Sequence, residues 1–141
     1  MKRITAAAIG LSLLSSAALA AAPQGTWLSQ DGATKVRLSD CGSKLCGTVV
    51  WLNQPIDSAT GKPKTDKHNP DPAKRARPLL GLQVVNGLAA SGPDKWSGSI
   101  YNADDGRTYQ ASFQVQGASA AKVEGCVLTL LCKDNTWTRS N

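Results

Sequence analysis

The chain is poor in the residues that carry chemistry. Its 141 residues hold one histidine, His68, and one glutamate, Glu124. A carboxylate pair for acid–base work would therefore need aspartates. Asp104 and Asp105 are adjacent just before Gly106, and a turn accounts for them. No serine or cysteine nucleophile is evidently paired with His68. The stretch around it, Asp66-Lys67-His68-Asn69-Pro70-Asp71, lacks the spacing of an EF-hand loop. Helical periodicity is nearly absent beyond residue 20, and no second long apolar run follows the first. These absences argue against an enzyme, a resident metal or cofactor, and a helical membrane anchor.

The first 20 residues read as an address. Lys2 and Arg3 precede a mostly apolar run, Ile4 to Leu19, and Ala18-Leu19-Ala20 fits the small-x-small rule of signal peptidase. The run is shorter than the roughly 20 residues needed to span a bilayer. We expect a signal peptide over 1–20 and a single periplasmic or secreted domain over 21–141. No cysteine at the cleavage point offers a lipid attachment site. Cleavage leaves 14 basic against 10 acidic residues, a formal charge of +4. Most of the excess lies between Asp57 and Pro78, where six basic residues meet three aspartates. A basic segment suits an anionic partner, although a solvated loop also explains it. Nucleic acid is not expected: the protein leaves the cytoplasm, and the basic stretch lacks aromatic stacking residues.

Four cysteines, Cys41, Cys46, Cys126 and Cys132, allow three pairings. The local one, Cys41–Cys46 with Cys126–Cys132, is the simplest and suits an oxidising compartment. Each bond would close a loop worth roughly 2 kcal/mol of chain entropy. Spacings of four and five intervening residues fit neither a Cys-x-x-Cys redox motif nor the usual two to four of a zinc site.

Short alternating runs separated by Gly, Asn and Asp predict an all-β domain of eight strands: 25–29, 34–39, 44–52, 80–85, 95–101, 107–116, 121–128 and 135–139. The sixth is the clearest, with Tyr109, Ala111, Phe113 and Val115 alternating with polar residues. Asn86-Gly87 reads as the stop of the fourth, and Asn102–Gly106 as a hairpin turn. Eight short antiparallel strands hide their edges by closing into a barrel, with a two-sheet sandwich as the alternative. One connection breaks the pattern. Residues 53–79 carry five prolines and no periodicity, and loops of that length are usually functional or disordered.

That loop is where function is expected. Asp66, His68, Asn69 and Arg77 are candidate ligand-binding residues on it, and it would lie over one barrel mouth with its basic side chains at the rim. Tyr109 and Phe113, with Trp51 or Trp96, would line a small apolar pocket. Eight strands enclose little more than their own side chains, so the pocket should be small. The expected ligand is small, apolar or acidic, with an envelope protein as the other candidate partner.

Several motifs together resemble a family. Gly25-x-Trp27, Cys41-Gly42-x-x-x-Cys46-Gly47, Asp66-x-x-Asn69-Pro70, Arg77-Pro78-Leu79-x-Gly81-Leu82, Trp96-x-Gly98-x-Ile100-Tyr101-Asn102, Gly106-x-Thr108-Tyr109 and Trp137-x-Arg139 look like the bacterial exported family known as domain of unknown function 2147. One departure is visible: Asn102–Gly106 stands where that family usually has a proline-containing turn. The resemblance implies a small lipocalin-like barrel of the calycin type and supplies no chemistry. In barrels of the lipocalin type, a Gly-x-Trp opens the first strand and a basic side chain from the chain's end packs across the indole. Trp27 and Arg139 are the residues that would close one end in this way.

Overall fold

In the computed structural model, residues 10, 12, 22–128 and 131–140 are described. The expected signal peptide lies outside them apart from Gly10 and Ser12. Among these described residues there are ten strands: β1 Gly25–Leu28, β2 Thr34–Cys41, β3 Lys44–Leu52, β4 Ile56–Asp57, β5 Lys62–Pro63, β6 Gln83–Gly92, β7 Lys95–Asn102, β8 Arg107–Gln116, β9 Ala120–Val127 and β10 Leu131–Ser140. Eight of them close an antiparallel barrel in the order β1-β10-β9-β8-β7-β6-β3-β2. The remaining two, β4 and β5, form a separate two-stranded hairpin within the long connection. The expected all-β, lipocalin-like barrel is what the chain forms.

The period-two pattern decides which side chains enter the barrel. In β8, Ala111, Phe113 and Val115 are buried; in β2, Val36 and Leu38 are buried while Lys35 and Arg37 point away. The fourth barrel strand along the chain differs from expectation. It begins at Gln83, not Leu80, and runs through Asn86-Gly87 to Gly92. The turn signal is absorbed by a bulge: the β6–β7 register shifts between Asn86 and Ala89, and Gly87 has φ of 62°. Leu88, just beyond it, is completely buried, so core burial keeps the strand going.

Strand direction sorts the connections between two ends. The start of β1, the end of β10 and the β2–β3, β6–β7 and β8–β9 turns share one end. Residues 29–33, 53–82 and 103–106 and the β9–β10 turn share the other. The first end is filled. Trp27 is fully buried, its indole N–H donates to the Pro23 carbonyl at 2.9 Å, and Phe113 meets it edge-on at 5.1 Å. The Arg139 guanidinium caps this indole at 4.2 Å.

Both disulfides follow the local pairing, Cys41–Cys46 and Cys126–Cys132. The first clamps the β2–β3 turn at the filled end. The second joins directly opposite residues of β9 and β10 near the other end. Glu124 gathers with Cys126 and Cys132, but disulfide sulfurs are not thiolate ligands.

Candidate functional site: a cavity at the barrel mouth

Above the Trp27–Phe113 layer the barrel is not filled. A cavity of about 750 Å3 opens at the end that carries the long connection. Its apolar wall comes from Val36 on β2, Val49 and Leu52 on β3, Val84 on β6, Ile100 on β7, Val123 on β9 and Trp137 on β10. Val84 enters the wall because of a second bulge: Gly47 pairs with Val85 and Thr48 with Gln83, leaving Val84 as the extra residue. Gly125 keeps one side open. A Cβ there would meet only the Tyr109 side chain, with Cβ at 3.7 Å and Cγ at 4.0 Å, both ordinary contacts.

The rim is polar and of mixed sign. Asp31, Asp104 and Asp105 stand with Lys64 and Lys133. The Tyr109 hydroxyl donates to the Asp105 carboxylate. That bond, assisted by burial, raises the phenol's pKa above its ordinary value. Asp31 accepts from the Ser29 hydroxyl at 2.6 Å and from the Ala33 N–H at 3.0 Å, and these bonds hold its carboxyl below the ordinary value.

A second recess adjoins the cavity. Strand β1 has four residues and β10 has ten, so only Thr138, Arg139 and Ser140 find β1 partners. Beside the unpaired stretch, Ser29, Gln30, Asp31, Lys133, Asn135 and Trp137 line a recess of about 390 Å3. One bond bridges it: the Thr136 N–H donates to Gln30 Oε1 at 2.7 Å.

The long connection is ordered by a buried polar knot. Asp66 is completely buried. It accepts from the Tyr101 hydroxyl at 2.6 Å, Arg77 Nε at 2.8 Å and Asn69 Nδ2 at 2.9 Å. Burial alone would raise its pKa, but the donors from Tyr101, Asn69 and Arg77 outweigh burial and hold the carboxyl below its ordinary value. Burial and the neighbouring carboxylate push the Tyr101 phenol up. Asn69 Oδ1 also accepts from the Asp71 N–H, and Arg75 Nε donates to the Asn69 carbonyl at 2.7 Å. A bridge between Thr65 and Pro78 closes the base of this loop, and Leu79 and Lys64 reach the cavity wall.

The structure thus divides the eight candidate binding residues. Tyr109 lines the cavity. Phe113 lies below it in the filled layer, between Trp27 and Trp137. Trp96 packs on the core away from the cavity. Trp51 points outward beneath Lys35, whose ammonium lies 5.0 Å from the ring, because the β2–β3 register shift turns it off the inner face. Asp66, Asn69 and Arg77 come together, but they bond to one another and do not face the cavity. His68 is exposed, with its backbone carbonyl against Gly106. The basic loop residues do not ring the rim as expected. Arg77 turns to Asp66, Lys67 to Asp57, and only Lys64 of the six joins the wall. Sequence reasoning missed Trp137 as a wall residue and Tyr101 as the partner of Asp66. Both stood in quoted motifs, Trp137-x-Arg139 and Ile100-Tyr101-Asn102.

Residues 25–139 match a bacterial family described as "Uncharacterized protein conserved in bacteria (DUF2147)". The chain belongs to the DUF2147 family. This DUF2147 barrel is also similar to a solved structure, protein HP1028 from the human pathogen Helicobacter pylori, described as belonging to the lipocalin family. The TM-score is 0.73 at 22% identity, over 86% of this chain and 85% of that one, so the likeness is one of fold. No curated protein matches the DUF2147 chain. Among its described residues, no helix is long and apolar enough to cross a membrane.

Proposed function

We propose that this DUF2147 protein is an exported, non-catalytic binder of a small amphipathic molecule, with the apolar body in the upper barrel and the polar head at the rim. The observation that carries this reading is the cavity itself. Its volume of about 750 Å3 falls within the roughly 300–1,000 Å3 of small-molecule pockets. It combines an apolar wall with a few convergent polar groups. Lys64 and Lys133 suit an acidic head group; the aspartates and Tyr109 suit a head that also donates hydrogen bonds. Export is supported by the signal-type N-terminus and by both disulfides.

Native mass spectrometry of protein taken from its own cell envelope tests the reading. A co-purified small molecule, released by denaturation and returned on refolding with the extract, is the expected result. A bare protein mass that no extract alters would count against it.

A further inference from the structure

The recess beside the unpaired stretch of β10 is lined by Ser29, Gln30, Asp31, Lys133, Asn135 and Trp137, all of them described residues. Its polar groups are only partly spent on the fold. Both bonds to Asp31, from the Ser29 hydroxyl and the Ala33 N–H, fall on Oδ1, which leaves Oδ2 uncommitted among the described residues. Gln30 accepts from the Thr136 N–H through Oε1, and its amide nitrogen keeps both protons to donate. The Asn135 amide, the Trp137 indole N–H and the Lys133 ammonium have no hydrogen-bond or ion-pair partner among the described residues. Among those residues no side-chain polar atom without a partner is sealed in the core, so these groups face the recess or solvent.

We infer that this recess is a subsite for a sugar ring, which makes the ligand of the upper barrel a glycolipid-like molecule; the assignment rests on the binding role proposed for the cavity.

An aromatic ring bordered by planar amides and one carboxylate is the surface a pyranose needs. The C–H bonds on one side of the sugar are attracted to the negative face of an indole. Its hydroxyls, each both donor and acceptor, match the Asn135 and Gln30 amides, Asp31 Oδ2 and the Lys133 ammonium. Trp137 is half-buried, and Phe113 supports it edge-on from the filled layer at 6.3 Å. The charges argue against a head of one fixed sign. Lys133 shares the recess with Asp31, and Lys64 shares the wider rim with Asp104 and Asp105. A permanent charge of either sign meets its like there, whereas hydroxyls donate to a carboxylate and accept from an ammonium. The recess holds about 390 Å3, at the low end of the roughly 300–1,000 Å3 of small-molecule pockets, which suits one ring and not an oligosaccharide. Every lining residue except Gln30 also lines the cavity. Trp137 therefore stands at the boundary, and an alkyl chain on the ring has the apolar wall within reach.

Calorimetric titration with three octyl amphiphiles, each below its micelle concentration, tests the assignment: octyl β-glucopyranoside, octyl tetraethylene glycol and octylphosphocholine. The chain is the same in all three and only the head differs. The wild type should bind the glucoside at least about tenfold more tightly than the polyether, through the added hydrogen bonds, and more tightly than the phosphocholine. Asn135→Ala removes an amide that the fold does not use, so its urea midpoint should match the wild type, while its affinity for the glucoside should fall most of the way to that for the polyether. Equal affinities of the wild type for glucoside and polyether would overturn the sugar subsite and leave the barrel a binder. So would an Asn135→Ala protein that keeps the full preference for the glucoside. Tightest binding of octylphosphocholine would overturn it in favour of a zwitterionic head. No binding of any of the three would overturn the binding role of the cavity and the subsite with it.

Discussion

The Arg139 guanidinium carbon lies 4.2 Å from the centre of the Trp27 indole, although 112 positions separate the two residues in the chain. Three donors fix it there: Nε to the Ala118 carbonyl at 3.2 Å, Nη1 to Gln24 at 2.8 Å and Nη2 to Ala22 at 2.6 Å. One side chain thus ties the first strand, the last strand and the β8–β9 turn over a buried ring. Gly25 belongs to the same device. Its φ is 122°, and a Cβ there would come within 2.9 Å of Arg139 Nη1.

Arg139→Ala should lower stability by about 1–3 kcal/mol, from lost cation–π attraction and charged hydrogen bonds. Arg139→Lys should recover little, because an ammonium cannot reach three carbonyls in different directions. Gly25→Ala should destabilise the same end. Urea midpoints check all three, and an unchanged midpoint for Arg139→Ala would remove the closure role.

The Asp66 knot predicts an acid-sensitive loop. Its folded pKa lies below the ordinary 3.8. The stability it contributes is therefore complete above the unfolded carboxyl's pKa and is lost as pH falls through the folded value. Asp66→Asn should cost about 2–3 kcal/mol near neutral pH by leaving the Arg77 charge and the Tyr101 hydroxyl poorly matched. The gap between wild type and variant in urea should narrow below about pH 4. A gap independent of pH would mean that the ionised carboxylate is not what holds the loop.

Gly106 positions that loop from the other side. Its φ is 70°, and a Cβ would run into the His68 carbonyl oxygen. Gly106→Ala should loosen the docked segment before it unfolds the barrel. Limited proteolysis should then cut within residues 53–79 faster than in the wild type, while the far-ultraviolet spectrum stays that of the barrel. Equal cutting rates would show that the β7–β8 turn does not hold the loop.

The barrel was legible in the sequence because burial imposes a period of two, and β8 and β2 display it without interruption. Asn86-Gly87 misled because a bulge and a turn ask for the same residues; only the burial of Leu88 separates the two cases. The loop stood out by its length and its prolines, and strand direction places it at the mouth end. Its interior did not stand out, because Asp66, Asn69 and Arg77 satisfy one another through Tyr101, a residue 35 positions away. Trp51, expected on the pocket wall, faces outward for a similar reason. Whether an aromatic faces inward depends on register, and the β2–β3 shift between Lys35 and Val36 is written in no local pattern.

Gly125 offers the most direct test of whether the open upper barrel takes a ligand. Valine at 125 suits a β-strand, meets only ordinary contacts there and projects into the cavity. Tryptophan fluorescence should be titrated with a series of medium-chain fatty acids and neutral amphiphiles against wild type and Gly125→Val in parallel, since Trp137 lies in the cavity wall. The wild type should show saturable quenching by at least one of them. The variant, equally stable in urea, should bind that compound at least about tenfold more weakly, as an overfilled site rejects added volume. Quenching identical in the two proteins, or no response to any amphiphile in the series, would contradict a ligand held inside the barrel.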